Sequence, residues 1–381
     1  TRYEASDLTT HGVIVGMTGS GKTGLGIIYL EEALRSGIPT LILDPKGDMT
    51  NLLLTFPDLA PSDFEPWIDP AAAQDSSIAA VAADTAKLWT NGLAGWDLRG
   101  ADIGTLRDHA GFAIYTPGST AGLPLNVVGS LAAPDGSFDD HSEALGDEIK
   151  GFTAGMLGLV GIEADPISSR ESILIAILIE HAWRNGQSLA METLLGWIQR
   201  PPIRKLGVFD IEAFFPADDR LELAMKLNGL LASPGFSTWM EGAALDIARL
   251  LWDAHGKPQA AVVYLAHLSD EERQFVVTLI LSKLITWMQT QPGSGDLRVL
   301  TYMDEVFGFV PPTANPPAKR PILTLLKQAR AFGVGLLLST QNPVDLDYKA
   351  MSNAGTWCIG RLQTERDKAR ILEALTSVSG D

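Results

Sequence analysis

The sequence predicts an α/β protein: a mainly parallel sheet flanked by helices, interrupted by a long, mainly helical insertion. Three observations predict it. Near the start, a β-branched run at 11–16 (HGVIVG), a glycine-rich loop, a helical stretch at 24–36 and a second apolar run at 40–44 (TLILD) follow one another. That order is a βαβ unit, which requires parallel strands. Toward the other end, apolar runs at 260–265 (AAVVYL), 297–304 (LRVLTYMD) and 333–341 (GVGLLLSTQ) alternate with helical patterns. Between roughly 119 and 251 that alternation stops and helical patterning takes over.

Taken in order, the strand at 11–16 is short and β-branched, as a buried parallel strand should be. Gly37 is placed to end the first helix, and 40–44 is the second strand. Residues 57–110 are rich in Pro, Asp and Ala, with a helix expected at 78–90, and 111–117 (GFAIYTP) reads as a strand. In the insertion, 169–185 is apolar over most of its length and opens with Ser169-x-x-Ser172, a capping signal, so a buried helix is expected. Arg200-Pro201-Pro202 marks a break, and 221–231 is another helix. The strand at 260–265 leads to a long amphipathic helix at 270–289. Five prolines in 311–321 predict an extended loop, then a helix at 322–332. A last strand at 356–362 and a helix at 364–375 complete the pattern. The expected division is a sheet core of 1–118 and 252–381 around an insertion of 119–251.

The chain has 381 residues, enough for a large core, and the apolar and charged fractions of an ordinary globular protein. Its one cysteine, Cys358, excludes internal disulfides and thiolate metal clusters, and its six histidines show no metal-ligand spacing. The longest apolar run, near 173–179, is far short of a membrane span, and no signal peptide is visible, so a cytoplasmic setting is expected. The formal net charge of −17 argues against a surface coated for nucleic acid. It leaves room for small basic patches, and two clusters interrupt the acidity: Lys319, Arg320, Lys327 and Arg330, then Arg361, Arg366, Lys368 and Arg370.

The chemistry starts at Gly16–Thr23, GMTGSGKT, which matches G-x-x-x-x-G-K-[ST]. Gly16, Met17, Thr18, Gly19, Ser20, Gly21, Lys22, Thr23 and Gly24 form the candidate nucleotide-binding set. Glycines let the backbone turn its N–H groups onto an anion, and the helix that follows adds its N-terminal dipole. Lys22 would reach the β- and γ-phosphates of ATP, and the Thr23 hydroxyl would ligate Mg²⁺. The second element is the apolar run ending in Asp304 and Glu305. Both carboxylates fall at the carboxyl end of a strand, the edge that also carries the loop. Asp304 would hold Mg²⁺, and Glu305 would act as general base on water. The third is Gln341, at the polar end of LLLSTQ, positioned to contact the γ-phosphate or the attacking water.

Five strings in this order, VGMTGSGKT, LILDPKGD, MDE, LLKQARAFGVGLLLSTQNP and GRL, resemble the HerA/FtsK branch of the P-loop ATPases, and most of all bacterial HerA-like ATP-binding proteins. The resemblance covers about 1–56 and 258–375, with a weaker likeness in the insertion. It implies a RecA-like P-loop NTPase core, ATP with Mg²⁺, and a homo-oligomer, in many members a hexameric ring that pumps double-stranded DNA. A nuclease or another effector is an implied partner. Lys22, Thr23, Asp304, Glu305 and Gln341 fall on the phosphate-loop, metal, water-activating and sensor positions. Asp44 and Lys46-Gly47-Asp48 fall on the turn after the second strand, beside the crevice. Arg330 and Arg361 match arginines of the family, and one of them is expected to reach a neighbouring subunit's site. Lys319 and Arg320 are expected to face DNA in a ring pore. The long insertion and the acidic balance depart from a minimal DNA motor. Two other functions therefore stand beside the DNA translocase: an ATPase that moves or remodels protein in secretion, conjugation or defence, and a nucleotide-switched scaffold with slow turnover. A small-molecule kinase fits poorly, because Asp304, Glu305 and Gln341 suit water rather than a substrate hydroxyl.

Overall fold

The computed structural model describes residues 3–73, 76–134, 136–165, 167–233, 235–362 and 364–379. Seven strands form the main sheet: β1 (Gly12–Val15), β2 (Thr40–Asp44), β3 (Gly111–Tyr115), β4 (Gln259–Tyr264), β5 (Ser294–Met303), β6 (Phe332–Thr340) and β7 (Thr356–Ile359). Their spatial order is β7-β1-β6-β5-β2-β4-β3, and every neighbouring pair is parallel. The expected parallel sheet is therefore present. Two strands from much later in the chain, β5 and β6, separate β1 from β2.

Period-2 alternation sends successive residues of each strand to opposite faces. One face carries Ile14, Ile42, Val262, Leu300, Tyr302 and Leu337 against α1 (Lys22–Arg35), which buries Leu30 and Leu34 there. α2 (Ile78–Ala94) and α3 (Gly100–His109) follow, and α3 adds Leu106 to the same layer. The other face carries Val13, Leu43, Val263, Met303 and Leu338. It packs into one contiguous core with the helices between β3 and β4, namely α4 (Ser142–Leu159), α5 (Arg170–Arg184), α6 (Met191–Gln199) and α7 (Ala217–Leu231), and with α8 (Asp270–Gln289). Both faces are covered, which is why the strands read as nearly continuous apolar runs.

Capping follows the sequence. Ser169 Oγ accepts the Ser172 amide at 3.2 Å at the start of α5. Ser269 and Glu272 form a reciprocal box at the start of α8, with bonds of 2.8 and 3.3 Å.

Several boundaries differ from expectation: α2 runs four residues beyond 90, and α7 starts four residues before 221. α9 runs Lys319–Gln328, starting inside the stretch predicted as extended loop and ending before 332. Pro321 sits in its first turn, where an amide is unbonded anyway, so proline does not stop it. The final strand ends at Ile359, and Gly360-Arg361 turn aside to run along the phosphate loop. α10 (Glu365–Ser379) closes the chain. Among the described residues no helix is long and apolar enough to cross a membrane.

Candidate nucleotide site

Because all seven strands are parallel, their carboxyl ends share one edge, and the loops leaving β1, β2, β5, β6 and β7 meet there. The loop after β1 is tied to its neighbours through the backbone. Gly16 N–H donates to Thr340 O at 3.3 Å, Met17 N–H to Arg361 O at 2.7 Å, and Gly360 N–H to Val15 O at 2.7 Å. Gly19 (φ +77°) and Gly21 (φ +89°) take left-handed backbone, which an L side chain would strain. α1 then begins at Lys22.

The Lys22 side chain is buried at the base of this loop, with Nζ 3.4 Å from Met17 O. Burial lowers its pKa, and the charges of Glu305 and Asp304 oppose that shift. Thr23, the second residue of α1, is half-buried, and Gly24 is exposed. Ser20 Oγ is buried without a hydrogen-bond partner among the described residues. An orphan hydroxyl, two left-handed glycines, a buried ammonium and a helix N-terminus fit the oxygens of a triphosphate.

Asp304 is 2% exposed and stands at the end of β5. Its pKa is raised, first by burial and also by the charge of Glu305. The Tyr302 hydroxyl donates to Asp304 Oδ1 at 3.2 Å. Tyr302 in turn packs over Gly26 of α1, where a Cβ would lie 2.7 Å from the hydroxyl oxygen. The Thr23 hydroxyl and the Asp304 carboxylate are hard oxygen donors of the kind Mg²⁺ takes. Among the described residues no group of three or more His, Cys, Asp or Glu forms a metal cage. Mg²⁺ at this edge would therefore complete its shell with water and phosphate oxygens.

Glu305 follows with left-handed backbone (φ 45°, ψ 53°), unusual for a non-glycine residue. Strain of this kind persists only where the surroundings hold it. Here two partners meet on one oxygen: Glu305 Oε1 accepts from Gln341 Nε2 and, at 2.7 Å, from Lys46 Nζ. Gln341 Oε1 accepts from the Thr18 hydroxyl at 2.7 Å. Lys46 is carried by a turn pinned by Asp44, whose two carboxylate oxygens accept the Gly47 and Met49 amides at 2.7 and 2.9 Å. Asp44 itself is pushed up to about 6 by burial, against the pull of those amides. Asp48 is exposed at the start of the next turn.

The structure thus brings Lys22, Thr23, Asp304, Glu305 and Gln341 to one edge, with Lys46 and Tyr302 beside them. Sequence reasoning put Lys46 on the right turn without a partner and passed over Tyr302. The available signal was a lysine in the turn at the carboxyl end of a strand, the edge that also carries the phosphate loop.

The arginines separate. Arg361 lies beside the phosphate loop, its carbonyl bonded to Met17. Arg330 is exposed in a turn just before β6, with Ser6, Asp7 and Ser294 around the same cavity. β6 spans nine residues, so Arg330 lies roughly 30 Å from the Gln341 end. It cannot act in its own chain's site. A residue preceding a parallel strand sits on the far edge, a signal the sequence already contained.

The expectation that Lys319 faces DNA is corrected. Lys319 is 6% exposed, pairs with Asp347 at 2.8 Å, and also donates to the carbonyls of Pro311 and Ala314 at 2.6 and 3.0 Å. The proline-rich loop wraps the ammonium and removes it from the surface. Arg320 remains exposed but pairs with Asp147 of α4 at 2.8 Å. Both line a groove of about 1400 Å³ between α4, α8 and α9, away from the phosphate loop.

Residues 4–109 match the family model described as the central domain of the helicase HerA. A search of curated proteins finds no match. Among solved structures, VirB4 of Thermoanaerobacter pseudethanolicus is similar with a TM-score of 0.54 at 13% identity, over 97% of this chain and 81% of that one. The plasmid coupling protein TrwB in complex with ADP and Mg²⁺ gives a TM-score of 0.49 at 13% identity, over 98% of this chain and 69% of that one.

Proposed function

We propose that this chain, a HerA/FtsK-type P-loop ATPase with a RecA-like fold, uses Mg²⁺-dependent ATP hydrolysis to translocate double-stranded DNA as a homo-oligomeric ring. The observation that carries the reading is the convergence of Lys22, Glu305 and Gln341, with Thr18, on one sheet edge. In that arrangement Lys22 meets the β- and γ-phosphates and the loop amides hold the rest of the chain of phosphates. Glu305 takes a proton from water as its oxygen bonds to the γ-phosphorus. The bond from that phosphorus to the bridging oxygen breaks, and its electron pair leaves with ADP. Gln341 orients the water or the γ-phosphate and passes its state to Thr18. Thr23 and Asp304 would hold Mg²⁺, which neutralises charge on the β- and γ-oxygens when bound.

The division into a core of 1–118 and 252–381 and an insertion of 119–251 belongs to the same proposal, as does a cytoplasmic setting. So does a trans role for Arg330. Its place on the far edge suits delivery to a neighbouring subunit, and such an arginine is worth about 10³–10⁵ in rate. Arg361 is the candidate within the chain.

One observation favours a protein substrate instead. Lys319 is buried and Arg320 is paired, so two cations expected to meet DNA are engaged inside the chain. ATP turnover with and without double-stranded DNA separates the readings, with sedimentation to give the assembly state. Stimulation by DNA supports the translocase. Unchanged turnover removes its support and leaves the protein-moving ATPase.

A further inference from the structure

Glu305 is held by two donors in this structure. One of its oxygens, Oε1, accepts from both Gln341 Nε2 and Lys46 Nζ. A carboxylate oxygen held by an ammonium and an amide is a poor acceptor for a water proton. Release of one partner would return this oxygen, beside Oε2, to the reacting water. Gln341 is tied at its other end to Thr18 of the phosphate loop. Lys46 has more freedom: its side chain is 42% exposed on the crevice side of the turn, against 6% for Glu305. The turn's backbone is pinned by the Asp44 carboxylate, so the movable part is the lysine side chain. Its ammonium lies 2.7 Å from Glu305 Oε1, at the sheet edge that carries Lys22 and Asp304. A γ-phosphate carries more charge than one carboxylate and presents three acceptor oxygens.

We propose that Lys46 is a second phosphate-binding residue, which exchanges Glu305 for the γ-phosphate of bound ATP and so returns the Glu305 Oε1 oxygen to the reacting water when there is a phosphate to hydrolyse. The inference rests on the nucleotide site proposed above. It predicts discrimination between ATP and ADP, because ADP has no γ-phosphate to draw Lys46 away.

The test is equilibrium binding of fluorescent ADP and of a non-hydrolysable ATP analogue. Lys46→Met should weaken the analogue about tenfold or more while ADP affinity stays within about twofold. The retained ADP binding shows that the variant is folded. Lys46→Arg should keep most of the analogue's affinity. Glu305→Gln should tighten the analogue, because Lys46 no longer leaves an ion pair, and that gain should vanish in Lys46→Met with Glu305→Gln. If Lys46→Met weakens both nucleotides equally, or neither, the exchange is overturned. Lys22→Ala serves as the separate control: if it still binds both nucleotides, the nucleotide site itself is misplaced.

Discussion

Thr18 and Gln341 are separated by 323 positions in the chain and share a 2.7 Å hydrogen bond. Thr18 belongs to the phosphate loop. Gln341 also holds Glu305, so the loop and the proposed base are joined through a single side chain.

Removing that link should disturb chemistry more than binding. Gln341→Ala is expected to lower ATP turnover by about 10-fold to 100-fold, the scale of a misplaced reacting group. ATP affinity should change little, because Lys22 and the loop amides remain. Turnover and nucleotide affinity measured on the same preparation check this. A variant with parental turnover would remove Gln341 from the mechanism.

Lys319 should matter for folding rather than for DNA. Breaking a buried pair by removing one partner costs about 3–5 kcal/mol. Lys319→Met is therefore expected to unfold at much lower denaturant than the parent. Arg320→Ala, at a half-exposed pair, should cost under about 1 kcal/mol. Chemical denaturation of the two variants checks the contrast.

The site was legible in the sequence where its residues end apolar runs, and not where they depend on distant partners. The loop at Gly16–Thr23, the Asp304-Glu305 pair and Gln341 announce themselves locally, each at the end of an apolar run, and a parallel sheet carries such ends to one edge. Strand order was not legible. Nothing in the sequence says that β6 lies between β1 and β5, yet that order sets Gln341 next to Glu305. Lys46 and Lys319 look alike in sequence, Lys46 directly after Pro45 and Lys319 two residues from both Pro317 and Pro321. Their fates depend on carboxylates 259 residues away for Lys46 and in a separate loop, at Asp347, for Lys319. Local pattern cannot supply such pairs. Arg330 differs, since its place before β6 already assigned it to the far edge.

His11 gives a pH dependence with a defined sign. It is 1% exposed, its Nδ1 accepts the Leu336 amide at 3.2 Å, and burial lowers its pKa from 6.5 to about 4. Above pH 6.5 the ring is neutral in both folded and unfolded chains. Between 6.5 and about 4 the unfolded chain takes up the proton more readily, so stability falls as pH falls, by up to about 3 kcal/mol. Asp44 runs the other way. Its folded pKa, about 6, lies above the unfolded 3.8, so it adds stability as pH falls through that window. The readout is therefore the difference between parent and His11→Asn. That difference should shrink from pH 7 toward pH 4 as the parent loses the neutral-ring contribution. A difference that does not change with pH would contradict a buried neutral His11.

The most direct measurement is steady-state ATP turnover in Mg²⁺ for the parent and for Glu305→Gln, with nucleotide binding measured alongside. The account predicts that the variant binds ATP and hydrolyses it about 10²–10⁴ times more slowly, the usual contribution of a positioned base. Turnover equal to the parent's would contradict it.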